Sequence, residues 1–207
     1  MPLTKIKSLG ITDGTITSTN ILDGTIVNAD INASAAIAST KLSGLGFTLG
    51  TKVTASGTEV SFTGIPSTAR MIVIGTDGLS FSGAGNPNLQ LQLGDSGGIE
   101  TTGYKATAVY LSTNTGEASP GGNGYTDAFV FSYQPDSSGT LHCQIILTCQ
   151  DTSSNTWNFS NLASQHSAGY IQCGAGVKSL SATLTQLKIL CSGGQSFDAG
   201  TVNIMYI

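Results

Sequence analysis

From Thr51 onward apolar and polar residues alternate with a period of two, and that pattern leaves few folds open to the chain. Leu141, Cys143, Ile145, Leu147 and Cys149 fall on one side of an extended segment, and His142, Gln144, Thr148 and Gln150 on the other, with Ile146 the exception. The same alternation recurs at Val60 and Phe62, at Leu89, Leu91 and Leu93 opposite Gln90 and Gln92, and at Phe129, Phe131 and Tyr133. It recurs again at Trp157 and Phe159, at Leu187, Ile189 and Cys191, and at Val202, Ile204 and Tyr206. Met71 to Ile74 is apolar on both sides and predicts a central strand. Clusters of Gly, Pro, Asn, Asp and Ser separate these runs, and no amphipathic helix of three turns fits between them. About eight to ten short strands with such turns predict an all-β fold, an antiparallel β-sandwich or jelly-roll-like head over residues 46–207.

Residues 1–45 obey a different rule. Ile11-Thr12-Asp13-Gly14-Thr15-Ile16 returns ten residues later as Ile21-Leu22-Asp23-Gly24-Thr25-Ile26, and a degenerate third copy begins at Ile31. Each Asp-Gly is a turn signal between β-branched residues that favour extended chain. With so few apolar side chains per repeat, the segment cannot bury a core by itself and needs neighbours to cover Ile11, Ile16, Ile21 and Ile26. It reads as an extended, repetitive arm for oligomerisation or docking, with a flexible polar leader as the alternative. Ala33 to Leu42 is its one stretch suited to a short helix, on alanine content alone.

Composition excludes several partners. The 207 residues carry 12 acids against 8 bases, a net charge of −4, with no cluster of Lys and Arg, so the electrostatic footprint of a nucleic-acid binder is missing. No apolar run approaches the roughly 18 residues that would span a bilayer, so membrane insertion is not expected. No secretion signal is read at Met1 to Gly10, which predicts synthesis and retention in a cytosol. Cys143, Cys149, Cys173 and Cys191 each lie in an apolar, strand-like segment and read as buried free thiols. Cys143 and Cys149 would sit roughly 20 Å apart along one strand, beyond bridging distance. CxxC pairs and close Cys/His spacing are missing, so no metal or other cofactor is assigned.

The most tempting motif is Gly94-Asp95-Ser96-Gly97-Gly98, which resembles the surroundings of the nucleophilic serine in chymotrypsin-like proteases. Such enzymes need a histidine as general base, placed earlier in the chain than the serine, yet His142 and His166 both follow Ser96. A glycine-rich hairpin turn explains the same residues. His142 falls on the polar side of its strand and His166 in a Ser/Gln-rich turn, while Asp127, Asp136 and Asp151 are scattered among loops. No catalytic residue is assigned, and the chain is not expected to be an enzyme. A binding role is better served by Ser112 to Tyr125, the longest loop-like segment. Its small polar residues, Asn114 and Asn123 among them, are edged by Tyr110 and Tyr125, which offer aromatic faces. Those four are the candidate receptor-binding residues.

The leader ITDGTITSTNILDGTIVNADINASAAIASTKLSG resembles the repetitive segment of fibre-like structural proteins of tailed phages, especially those of aquatic and cyanobacterial hosts. VSFTGIP, LQLGDSGGIETTGY and SGGQSFDAGTVNIMYI are similar to β-rich domains of phage tail and virion proteins. The resemblance covers most of the chain and brings no catalytic residues with it. It implies a virion component assembled in the host cytoplasm, a homotrimeric tail fibre or spike subunit bound to other tail or capsid proteins, with a host surface glycan as a candidate ligand. A capsid decoration or head-fibre protein is the alternative; a glycan depolymerase or protease comes third.

Overall fold

The computed structural model describes residues 15–32, 34–35, 37, 46–83, 87–112, 118–120, 124–133, 139–166 and 169–207. The chain divides into two compact units, Met1–Ser43 and Gly44–Ile207.

In the first unit the sequence repeat is realised as a repeated turn. Thr17 N–H donates to Asn20 Oδ1 at 2.9 Å and Asn20 N–H returns to Thr17 O at 2.9 Å, closing the 3-10 turn Ser18–Asn20. Ten residues on, Val27 N–H donates to Asp30 Oδ2 at 2.9 Å and Asp30 N–H to Val27 O at 2.9 Å, around Asn28–Asp30. Between them Thr25 N–H closes on Leu22 O at 3.0 Å, with Gly24 at φ +79° in the left-handed region that favours glycine. Two turns at the ten-residue step are thus built on an Asn or Asp side chain that accepts the backbone N–H three residues back, with the expected Asp23-Gly24 turn between them. Ile16, Ile21 and Ile26 are all exposed, as are Leu22, Val27 and Ile31. Ile11 and most of Ala33–Leu42, including the helix expected there, lie outside the described residues.

The second unit is all-β and antiparallel throughout. Its larger sheet holds nine strands among the described residues, in the order β1 (Thr48–Leu49), β14 (Ser196–Tyr206), β4 (Met71–Ser82), β10 (Leu141–Asp151), β11 (Thr156–Gln165), β12 (Tyr170–Ser179), β7 (Lys105–Ser112) and β8 (Ala118–Pro120). β2 (Val53–Thr54) extends the β1 edge along β14. The smaller sheet orders β3 (Glu59–Thr63), β13 (Gln186–Cys191) and β5 (Leu89–Asp95), whose far edge pairs with both β9 (Phe129–Ser132) and β6 (Gly98–Ile99). Side chains from both sheets join in one apolar core: Ile72, Ile145, Leu147, Phe159 and Ile204 from the larger, Val60, Leu91, Phe129, Leu187 and Ile189 from the smaller. This is a two-layer sandwich, as the alternation requires. β4 lies between β14 and β10, which makes it the central strand that Met71 to Ile74 predicts.

Aromatic contacts tighten the core. Phe129 and Phe159 stack with centroids 4.6 Å apart, and Tyr104 meets Phe129 edge-on at 5.0 Å. Such pairs are worth about 0.5–1.5 kcal/mol each beyond burial. Between β10 and β11 the turn is shaped by Asp151, whose carboxylate accepts from Ser153 N–H at 3.0 Å and Ser154 Oγ at 2.7 Å, while Asn155 takes φ +50°. These bonds hold the exposed Asp151 carboxyl down to about 2.

Two expectations are corrected. Ser112 to Tyr125 is not one loop, because Ala118–Pro120 pairs with β7 as an edge strand, and Pro120 is tolerated there since an edge need not donate. The cysteines do not all lie in the core. Cys143 and Cys191 are buried, Cys149 is half-buried, but Cys173 is exposed, because on β12 the odd-numbered residues face out while Gln172 and Lys178 are buried. Burial pushes the Cys143 and Cys191 thiols up to about 12, which removes the thiolate needed for reaction. In the native protein a thiol reagent should label Cys173 quickly and Cys149 more slowly. Cys143 and Cys191 should react only on unfolding, with four thiols titrated after denaturation without reductant; peptide mass mapping reads the order.

Candidate functional site

The larger sheet outruns the smaller one, and β9 packs against its overhanging strands β11, β12 and β7. One edge of β9 pairs with β5. The other edge faces side chains of the larger sheet, and two amides serve it: Asn161 Nδ2 donates to Phe131 O at 2.7 Å, and Gln172 Oε1 accepts from Tyr133 N–H at 2.6 Å and from Ser132 Oγ at 2.8 Å. Asn161 and Gln172 are both buried, 8% and 1% exposed. Their polarity replaces strand pairing, since a buried backbone group without a partner costs about 1–3 kcal/mol. Close approach requires Gly174: a Cβ there would come 2.7 Å from Val130 O and 2.8 Å from Asn161 Oδ1.

Past the end of β9 three tyrosines meet. Tyr110 lies on β7 in line with the buried Ala106 and Ala108, Tyr170 on β12 in line with Gln172, and Tyr133 follows directly after β9; all three are half-buried. Tyr110 packs on Tyr170 with centroids 5.0 Å apart and on Tyr133 at 6.1 Å, the latter pair stacked within 20°. An aromatic cluster thus sits at the rim of the sandwich, over the Gln172 amide.

Of the expected receptor-binding residues, Tyr110 belongs to this cluster and Tyr125 does not. Tyr125 bridges Ala106, four positions along β7 from Tyr110, and lines a separate open cavity of about 430 Å³ with Tyr104, Thr107 and Ala175. Asn114 and Asn123 lie outside the described residues. Sequence reasoning missed Tyr133 and Tyr170, although Tyr133 ends the very alternation that predicts β9.

The protease-like motif is a hairpin. Gly94 and Asp95 end β5, Ser96 and Gly97 turn, and Gly98 opens β6; a Cβ on Gly94 would come 2.4 Å from Gly98 O, so the turn itself demands glycine. Asp95 is buried and accepts from Ser181 Oγ and Gly97 N–H, both at 2.7 Å. His142, on the outer side of β10, has Nδ1 3.0 Å from Asp77 Oδ1. Asp127 is exposed, with Oδ2 3.4 Å from Gln90 Nε2, and Asp136 lies outside the described residues. Among the described residues no three His, Cys, Asp or Glu side chains gather as a metal-binding group, and no helix is long and apolar enough to cross a membrane.

Next to the hairpin a buried lysine meets a half-buried carboxylate. Lys178, 4% exposed, bonds Glu100 through Nζ, donates to Ser179 O at 2.8 Å and sits 5.4 Å from the Tyr104 ring centre. Tyr104 Oη accepts Leu93 N–H at 2.7 Å and donates to Glu100 O at 3.0 Å. Burial pushes the Glu100 carboxyl up, but Lys178 and Ser181 N–H outweigh it and leave it below its ordinary 4.5. The Ser181 hydroxyl, then Gly97 N–H, hold Asp95 below its ordinary 3.8.

Because both carboxyls have depressed folded values, their stabilisation is complete above the ordinary carboxylate range and is lost as pH falls through the folded values. Urea unfolding should show stability flat above about pH 5 and declining below the ordinary 4.5 of Glu100. Glu100→Gln should cost about 3 kcal/mol at neutral pH by stranding the Lys178 charge, flatten part of the acid decline, and be largely relieved by adding Lys178→Met.

Compared with protein-family models, with curated proteins and with solved structures, the chain finds no match.

Proposed function

We propose that this chain is a structural subunit of a tailed-phage particle, a tail fibre or spike protein that docks through its N-terminal arm and presents the β head to the host surface. The observation that carries the reading is the arm. Its turn is built twice at a ten-residue step, and its apolar side chains Ile16, Ile21, Leu22, Ile26, Val27 and Ile31 are all exposed. An arm with that much uncovered apolar surface gains stability only by meeting other chains. A ten-residue periodic surface is best matched by another surface of the same period, and a second copy of the arm supplies one.

The head supports self-association as well. On the outer face of β11, β12 and β7, Leu162 is 62% exposed, Ile171 43% and Leu111 46%, and in register Leu162 pairs with Cys173 and Ile171 with Leu111. The eight strands β1/β2, β3, β4, β5, β9, β10, β13 and β14, numbered in chain order, stand first–eighth–third–sixth in one sheet and second–seventh–fourth–fifth in the other. With the other strands set aside, this order supports a jelly-roll-like reading, an architecture common in viral coat proteins. A homotrimer is the proposed assembly, with a capsid decoration or head-fibre protein as the second reading, favoured by the same coat-like order. Neither reading asks for a catalytic step.

Light scattering on the full chain at micromolar concentration should give three times the 21.1 kDa chain mass. Removing Met1–Ser43 should leave a head with unchanged β-type circular dichroism that associates more weakly and no longer enters particles. A monomeric full chain, or incorporation of the armless head, contradicts the proposal; labelled particles in electron micrographs separate tail from capsid.

A further inference from the structure

We infer that Tyr110, Tyr133 and Tyr170 form a stacking site for a neutral saccharide at the rim of the sandwich. The inference rests on the host-adhesion reading for the source of the sugar, but the site itself follows from its chemistry. Deeper along the same faces the inner positions carry Ala106 and Ala108 on β7 and Phe129 and Phe131 on β9, all buried. At the rim the residues change to tyrosine and become half-buried. A rim that only needed sealing is served by Phe or Leu; tyrosine adds a hydroxyl that stays wet while the ring face stays apolar, the combination that one face of a sugar ring and its hydroxyls match.

Charge decides the ligand class. The strand partners of these residues are Gln172 and Ser119 for Tyr110, and Gln165 and Ser112 for Tyr170; Tyr133 follows Ser132, so every one of these neighbours is uncharged. Among the described residues the cation seated over an aromatic ring is Lys178, over Tyr104 and not over this cluster. Among these described strand partners a phosphate, sulfate or uronate would find no counter-charge. Tyr133 N–H fixes which end of the Gln172 amide is oxygen, so the other end is the NH₂ donor, which is buried and has no hydrogen-bond partner among the described residues.

Titration calorimetry of the full chain with three probes tests the site: a neutral glucose oligomer, a neutral mannose oligomer and a sulfated polysaccharide. At least one neutral oligomer should bind, and Tyr133→Ala and Tyr170→Ala should each weaken it by about tenfold, with Tyr133→Phe weakening it by less and Thr58→Ala, at an exposed position before β3, changing nothing. Far-ultraviolet dichroism checks that each variant is folded. Binding of neither neutral oligomer at millimolar concentration, binding of the sulfated chain alone, or affinity unmoved in both alanine variants overturns the inference. Binding to host cells keeps the two readings apart: cell binding that survives both alanine variants removes this site but spares adhesion, whereas oligomer binding without cell binding keeps the site and removes the adhesion reading.

Discussion

The capture of β9 by two buried amides is the interaction on which the rest of the head depends. Among the described residues five strands, β9 included, face nine, and it is β9 that packs against β11, β12 and β7. β9 is only four residues long and pairs with β5 on one side, so its free edge would be a row of buried, unpaired groups. Asn161 and Gln172 turn that edge into a bonded seam. Removing either amide would strand Phe131 O or Tyr133 N–H, at about 1–3 kcal/mol for each group left unpaired. The ion pair of Lys178 with Glu100 closes the same overhang further along β12, where it meets the β5–β6 hairpin.

That seam also explains what the sequence hid. Over the sandwich proper, alternation identifies both the strands and their inner faces: Leu141 to Leu147, Leu89 to Leu93 and Leu187 to Cys191 point their apolar residues into the core. On β12 the period is right but the phase inverts. Tyr170-Ile171-Gln172-Cys173-Gly174-Ala175-Gly176-Val177-Lys178 offers Ile171, Cys173, Ala175 and Val177 as the apolar set, yet Gln172 and Lys178 are the deeply buried residues. Hydropathy assigns the apolar set to the core, which is why Cys173 reads as a buried thiol. The inner face has to supply hydrogen bonds and a cation there, because it meets a strand edge and a carboxylate instead of another sheet's side chains. A trace of this is visible on β11, where Trp157 and Phe159 give way to Asn161, Ala163 and Gln165 along one face.

The candidate site was half legible for the same reason. Tyr110 stands out by its place beside a polar loop, but its partners come from other strands: Tyr133 lies 23 residues on (133 − 110) and Tyr170 lies 60 residues on (170 − 110), joined only by the register of β7 with β12 and by the end of β9. Nothing local in the sequence announces that meeting. Tyr125, close to Tyr110 across the same loop, is carried away from it by the antiparallel return of Ala118–Pro120 along β7.

Phase inversion has a further cost that one chain does not meet by itself. Turning polar groups inward on the overhang sends apolar ones outward, and Leu162, Ile171 and Leu111 are left in water. Burying a side chain of that size stabilises by about 1.5–3 kcal/mol, so the uncovered face is a standing reason to associate. The arm reaches the same condition by another route, since its turns satisfy their own backbone bonds yet leave each described isoleucine uncovered. With only 10% charged residues in the chain, little electrostatic repulsion opposes contact between copies. Two unrelated features, a strand phase in the head and a short repeat in the arm, therefore push in one direction. In the proposed assembly, contact between copies covers surfaces that folding alone leaves bare.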